Sequence, residues 1–400
     1  MQELVVVGGG FAGTWAALAA GRELLLNEAE ARVTLVNRDP FITMRPRLYE
    51  PFTPEMRLEL SPVLSALDIS LRVAQVDGLD LAARTVNFGP GPHDSLRWDA
   101  LVIAAGSVQR PLPVPGAAEH ALDIDTFGGA ERLAQHLQRV LARPKAEGAL
   151  TFVVIGAGFT GIELATELRR HLRNYGRESL ASEARIVLVE ADAVPGPALG
   201  AGPRPLIEAA LERCKVEVRL NTRVTAIDAS GITLASGEHI PSLTVVITSG
   251  LQANPLGTQL PGERDESGRL VVDGFLRLPG QEHVFVAGDM AHARTDESHT
   301  ALMSCQHAVP MGKMAGYNAA RALLGLSQRT YQQPDYVTCL DLGDGGAVLT
   351  SGWDRQVVDS GAEIKTLKQT INTRWILPPS GGRESVLPAA DLDAPWPPAA

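Results

Sequence analysis

The run Thr151-Phe152-Val153-Val154-Ile155-Gly156-Ala157-Gly158-Phe159-Thr160-Gly161 decides the fold class. An apolar stretch suited to a buried strand enters three glycines at G-x-G-x-x-G spacing. A helix is expected from there to about Asn174, and a second strand, Arg185 to Val189, ends in Glu190. In such a β-turn-α-β unit the first glycine permits the turn, the second lets backbone N–H groups approach a pyrophosphate, and the third lets helix and strand pack closely. At the strand tip a carboxylate accepts hydrogen bonds from an adenosine ribose diol and repels a 2′-phosphate. Glu190 therefore favours NAD over NADP.

The same pattern stands 148 positions earlier: a strand Leu4 to Val7, Gly8, Gly10 and Gly13, a helix from Phe11 to about Glu23, and a strand Arg32 to Val36. A single motif of this kind can be a tight β-α turn with no ligand; two complete motifs in tandem imply two nucleotides. At the tip of the first unit stands Asn37, followed by Arg38, so its ribose contact is an uncharged amide hydrogen bond. Leu4 to Gly21 is 18 residues without a charge, superficially a membrane span or signal core. The glycines at its centre and the absence of a basic segment before it argue for neither.

Around these units, 400 residues with 45% hydrophobic and 20% charged content supply enough apolar surface for two or three cores. With 46 acidic against 36 basic residues and a net charge of −10, the chain lacks the basic character that nucleic acid binding requires. Its cysteines, Cys214, Cys305 and Cys339, form no CxxC pair, which speaks against a disulfide framework and fits a reducing cytoplasm. The histidines show no ligand spacing, and no metal site is expected.

Buried strands closing on small residues are read at Trp98 to Ser107, through Ala105 and Gly106, at 241–250, through Ser249 and Gly250, and at Glu282 to Asp289. Asp289, after Gly288, suits a polyol hydroxyl, and a long helix is expected from about Thr300 to Leu324. Tyr336 to Leu342 and Gly346 to Ser351 read as antiparallel strands around Gly343-Asp344-Gly345, and Glu363 to Ile376 as a helix. Six prolines between Pro378 and Ala400 mark a tail expected to be disordered or draped.

In this order, the two glycine motifs, the Ala104-Ala105-Gly106-Ser107 strand end and the Val284 to Asp289 segment resemble the two-dinucleotide-binding-domain flavoproteins, the glutathione-reductase-like group, over roughly residues 1 to 325. The resemblance implies an α/β fold with two Rossmann-like dinucleotide-binding domains and a small C-terminal α+β domain. The expected division is 1–115 with 248–325 for FAD, 116–247 for NAD(H), 326–377 for the C-terminal domain and 378–400 for the tail. For FAD it implies Gly8, Gly10, Phe11, Ala12, Gly13, Asn37, Arg38, Arg45, Val76, Ala105, Gly106, Gly288, Asp289 and Gln306. For NAD it implies Gly156, Gly158, Phe159, Thr160, Gly161, Glu163, Glu190, Ser249 and Gly250.

Within that group the chain is similar to type II NADH dehydrogenases and their apoptosis-inducing-factor-like relatives. Pro46 with Leu48-Tyr49-Glu50, Gly158 to Ala165, Thr248 to Asn254 and Cys305-Gln306-His307-Ala308 carry the likeness. It implies Glu163 between nicotinamide and flavin, Gln306 by the flavin at a quinone pocket, and Lys365 at the acceptor pocket. The family's acceptor motif runs Ala-Gln-x-Ala-x-Gln-Gln where this chain has Cys305 to Met311, and its amphipathic membrane helix is replaced here by the proline-rich tail.

The helix from about Thr300 would point its N-terminus at the flavin, where N–H groups and dipole stabilise negative charge. Cys305 reads either as a thiol beside the flavin, with Cys339 as partner in sulfide:quinone-type chemistry, or as a small apolar filler. Glu163 reads as an orienting or proton-relaying acid, or as an acid placed in a first helical turn by the dipole. The expectation is an FAD-dependent NADH oxidoreductase, preferring NADH to NADPH and reducing a quinone or another small organic acceptor. A reductase of a small redox protein such as a ferredoxin, and a nucleotide-sensing flavoprotein, stand as alternatives. Homodimers are left open, and any membrane association is expected to be peripheral, on the inner face.

Overall fold

The computed structural model describes residues 1–89 and 94–395. In chain order it contains β1 (Gln2–Val7), α1 (Phe11–Leu26), β2 (Ala31–Asn37), β3 (Ser70–Val73), β4 (Ala100–Ile103), β5 (Leu122–Asp123), β6 (Thr151–Ile155), α2 (Phe159–Asn174), β7 (Arg185–Val189), β8 (Val216–Arg219), β9 (Thr244–Ile247), β10 (Val284–Val286), α3 (Cys305–Leu323), β11 (Val337–Asp341), β12 (Ala347–Ser351), β13 (Gln356–Gly361), α4 (Ala362–Thr370) and α5 (Arg383–Ala389). Short strands outside this series make small two- and three-stranded sheets.

Two parallel sheets are built to one plan, ordered β10-β4-β1-β2-β3 and β5-β9-β6-β7-β8. Their inner strands carry buried runs, residues 4–7, 33–36, 100–103, 152–155, 186–189 and 244–247, because both faces are covered. Val7 lies between Ile103 and Val36, and Ile155 between Ile247 and Val189. The strand tips therefore end level, with a glycine loop at the carboxyl edge of each sheet, where α/β folds bind ligands. Each unit also carries a three-stranded antiparallel insert, Val76–Asp80 with its neighbours between β3 and β4 in the first and Val224–Asp228 with its neighbours between β8 and β9 in the second.

α1 is buried on nearly all sides because α3 closes over it. A Cβ at Gly312 would stand 2.2 Å from the Ala12 carbonyl oxygen and one at Gly316 2.0 Å from that of Ala16, so the helices meet backbone to backbone. The uncharged Leu4 to Gly21 stretch is thus an interior strand and helix. Among the described residues no helix is long and apolar enough to cross a membrane.

In the C-terminal part β11 and β12 pair antiparallel around Gly343–Gly345, as expected, and β13 adds a third strand that the sequence reading did not include. α4 continues into a single π turn over Ile371–Trp375, and Ile364, Lys368, Asn372 and Ile376 form its buried stripe. For residues up to 395 the disordered reading of the tail gives way to the draped one. α5 buries Val386 and Ala390, Asp391 pairs with Arg22, and Asp393 pairs with Arg329 at 3.0 Å. The rest of that expectation, on 396–400, lies outside the described residues.

Candidate active site

The first loop takes its shape from contacts only glycine allows. Gly8 has φ +105°, and a Cβ on Gly13 would lie 1.7 Å from the Gly8 carbonyl oxygen. Gly10 faces open space, and α1 begins there with no side-chain cap, leaving its first N–H groups for a ligand. Asn37 Oδ1 accepts from Gly9 N–H at 2.9 Å, while its Nδ2 donates to the carbonyls of Asp39 (2.8 Å) and Phe41 (3.1 Å). Arg38 projects into solvent beside Asp39.

At the neighbouring strand ends Gly288, at φ +66°, delivers Asp289. Its carboxylate accepts from Ser107 Oγ at 2.6 Å and lies 3.5 Å from Arg45, which also pairs with Asp125. Ala105 and Gly106 receive hydrogen bonds from Asn254, and Val76 packs half-buried against the first core. Open loop, uncapped helix and a carboxylate at the neighbouring strand end suit a dinucleotide such as FAD.

The second loop repeats the first. Gly156 has φ +103°, a Cβ on Gly161 would lie 1.8 Å from the Gly156 oxygen, and Gly158 faces open space. Glu190 accepts from Ala157 N–H at 2.6 Å and from Asp192 N–H at 3.0 Å. Ser249 stands against Gly156, 3.2 Å from where its Cβ would be, and Gly250, at φ +88°, turns the chain away. Phe159 and Thr160 open α2.

Two residues beyond Gly161, Glu163 is buried, and its Oε1 meets Lys368 Nζ at 3.0 Å and Asp341 N–H at 3.1 Å. Burial, opposed by Lys368, raises its carboxyl to about 7. Lys368 Nζ also donates to the Cys339 carbonyl at 2.9 Å and lies 5.7 and 5.8 Å from the ring centres of Phe159 and Tyr49. The structure sets Lys365 one layer back, on Glu167 (2.5 Å), Asp341 (2.8 Å) and the Gly343 carbonyl (2.8 Å). Tyr49 Oη donates to Asp341 at 3.1 Å, and burial and Glu163 together raise its phenol well above the ordinary range.

α3 begins at Cys305, capped by Ser304. Burial raises the Cys305 thiol, with Lys368 opposing, and raises Cys339 to about 11. Both are free thiols, and burial favours the neutral form of each. The Gln306 carboxamide lies on the Val337 main chain, its Nε2 donating at 2.5 Å and its Oε1 accepting at 3.1 Å. Pro310 has no N–H to offer the Gln306 carbonyl, and Gln333 Nε2 donates to it instead, at 3.1 Å.

Sequence reasoning brought Glu163 and Cys305 to this region but missed Lys368 and Asp341. The signal for Lys368 was its place in the stripe Ile364, Lys368, Asn372, Ile376, where a buried charge demands a partner.

A model of the pyridine nucleotide-disulphide oxidoreductase family matches residues 2–312. An NADH dehydrogenase-like protein of Mycobacterium tuberculosis is 43% identical over 394 residues, 98% of either chain. A demethylphylloquinone reductase of Synechocystis is 29% identical over 87% of this chain and 86% of that one. In fold the chain is similar to the NDH2 of Plasmodium falciparum solved in complex with NADH, with a TM-score of 0.75 at 12% identity over 94% of this chain and 95% of that one. The chain belongs to the pyridine nucleotide-disulphide oxidoreductase family, and it is an enzyme: an oxidoreductase that works with a pyridine nucleotide.

Proposed function

We propose that this enzyme is an FAD-dependent NADH dehydrogenase that reduces a quinone or another small organic acceptor. The observation that carries the reading is Glu163: a buried carboxyl raised to about 7 stands on the helix turn that receives the second nucleotide, paired with a buried lysine. Names among the relatives, NADH dehydrogenase-like protein and demethylphylloquinone reductase, support it.

The first loop, with Asn37, Asp289, Arg45 and the Ala105-Gly106 strand end, would hold FAD, and the second loop, with Glu190, Ser249 and Gly250, would hold NADH. Bound FAD supplies the two-electron chemistry between hydride donor and acceptor. Glu190 accepts the ribose hydroxyls and repels a 2′-phosphate, so NADH is preferred to NADPH. The N–H groups at the start of α3 stabilise negative charge at the electron-transfer centre. Lys368 has two of its three N–H groups on Glu163 and Cys339, which leaves one donor for an acceptor oxygen. Glu163 holds the proton that acceptor reduction consumes.

Anaerobic mixing of the FAD-loaded protein with NADH and, separately, NADPH, followed by a short-chain quinone, tests the reading. Fast loss of flavin colour with NADH, slow loss with NADPH and return of colour with quinone are expected. Bleaching without recovery would remove the quinone, and no bleaching would remove the dehydrogenase.

A further inference from the structure

α2 and α4 face each other through two acids and two lysines. Glu163 and Glu167, one turn apart on α2, meet Lys368 and Lys365, one turn apart on α4. The two rungs are not equivalent. The Glu163–Lys368 rung lies between the rings of Phe159 and Tyr49. The Glu167–Lys365 rung lies nearer solvent, with 18% of the Lys365 side chain exposed and Arg170 reaching Glu167 from outside at 3.3 Å.

Asp341 joins the rungs. Its main-chain N–H donates to Glu163 Oε1 at 3.1 Å, its Oδ1 accepts from Lys365 at 2.8 Å, and its Oδ2 accepts from Tyr49 at 3.1 Å. Three buried carboxylates thus meet one buried ammonium group, Lys368, and two partly exposed cations, Lys365 and Arg170, and a proton taken up by the cluster goes to the carboxylate with the fewest donors. The partners say where it resides. Asp341 has a further donor in Gly343 N–H at 2.8 Å, and Glu167 has Lys365 and Arg170, so both are well served as carboxylates. Both partners of Glu163 sit on Oε1, and among the described residues Oε2 has none.

We propose that Lys365 and Asp341 are positioning residues of the acceptor site: Lys365 does not reach the acceptor, and acts through Asp341 to hold Glu163 as the cluster's one exchangeable proton carrier. This rests on the dehydrogenase reading above. NADH, a proton and a quinone give NAD⁺ and a quinol; the hydride brings both electrons and one proton, so each turnover draws a second proton. Glu163 gives that proton to a quinone oxygen as the O–H bond forms, becomes a carboxylate beside Lys368, and is reprotonated from solvent.

Two readouts on the FAD-loaded protein test this. One is the pH titration of the protonated-carboxyl infrared band, assigned by its loss in Glu163→Gln. The other is the pH profile of the return of colour when quinone is added after NADH. Asp341→Asn removes a negative charge facing Glu163, and both transitions should move to lower pH by about one unit. Lys365→Met removes a positive charge, and both should move to higher pH, with Lys365→Arg restoring them. Bleaching by NADH should be unchanged in all three.

Transitions that stay in place in Asp341→Asn would overturn the inference, and this variant decides alone if Lys365→Met does not fold. So would slower recovery of colour in Lys365→Met at every pH with no shift, since that marks direct contact with the acceptor. If NADH fails to bleach the wild type, the dehydrogenase reading falls, while the infrared titration still confirms or overturns the charge coupling.

Discussion

At the tip of the second strand of each unit one side chain takes the N–H of the loop's middle residue: Asn37 takes Gly9 at 2.9 Å, and Glu190 takes Ala157 at 2.6 Å. Their other obligations differ. Asn37 must also donate to the carbonyls of Asp39 and Phe41, which a carboxylate cannot do, whereas the second oxygen of Glu190 meets only another donor, Asp192 N–H. The acid expected in the first unit is absent because two backbone carbonyls of this chain need a donor there. The units differ again two residues past the third glycine. In α1 that position is Trp15, its ring 4.7 Å from Lys313 Nζ; in α2 it is Glu163, 3.0 Å from Lys368 Nζ. A neighbouring helix brings a lysine to each place, α3 with Lys313 and α4 with Lys368, and only α2 supplies an acid at the position itself. On the proposed function, one cradle design would serve one unit that holds a nucleotide and one that also manages a proton.

Substitutions can break this comparison. The largest effect is expected at the third glycines, where any Cβ strikes the loop carbonyl at 1.7 or 1.8 Å. Gly13→Val should cost about 3 kcal/mol or more and give colourless protein, while Gly161→Val should stay yellow and no longer bleach with NADH. Absorbance and thermal melting of both variants check it.

Next comes the pair past the glycines. In the proposed mechanism the acceptor step needs protonated Glu163, so its rate should be high below about pH 7 and fall above it. Glu163→Gln should slow that step by roughly 10²-fold or more and remove the pH dependence. A smaller loss is expected when the first unit is made to imitate the second. Asn37→Asp turns two donated hydrogen bonds into oxygen–oxygen repulsion and should weaken FAD retention by about 1–3 kcal/mol, read by dialysis or the melting midpoint.

The doubled plan was legible because glycine spacing and uninterrupted apolar strands are local in sequence. The hairpin of β11 and β12 was legible for the same reason, with Gly343 and Gly345 marking its turn. β13 was not: Gln356-Val357-Val358-Asp359 is exposed throughout and carries no alternation to read. The draped tail was hidden by its prolines, since its order comes from Arg22 and Arg329, 369 and 64 positions away from the aspartates they hold. Lys365 drew attention through resemblance, yet choosing between Lys365 and Lys368 required the α2–α4 packing, which no spacing within one helix specifies. Gln306 likewise met the Val337 main chain through a long-range contact.

The claim that one cradle is assigned to its nucleotide by a single side chain is tested most directly at Glu190. The ratio of flavin-bleaching efficiency, kcat/KM with NADH over NADPH, should be large in the wild type and collapse by roughly 10–100-fold in Glu190→Ala, with FAD content unchanged. A ratio that survives the substitution, or FAD lost along with it, would contradict the account.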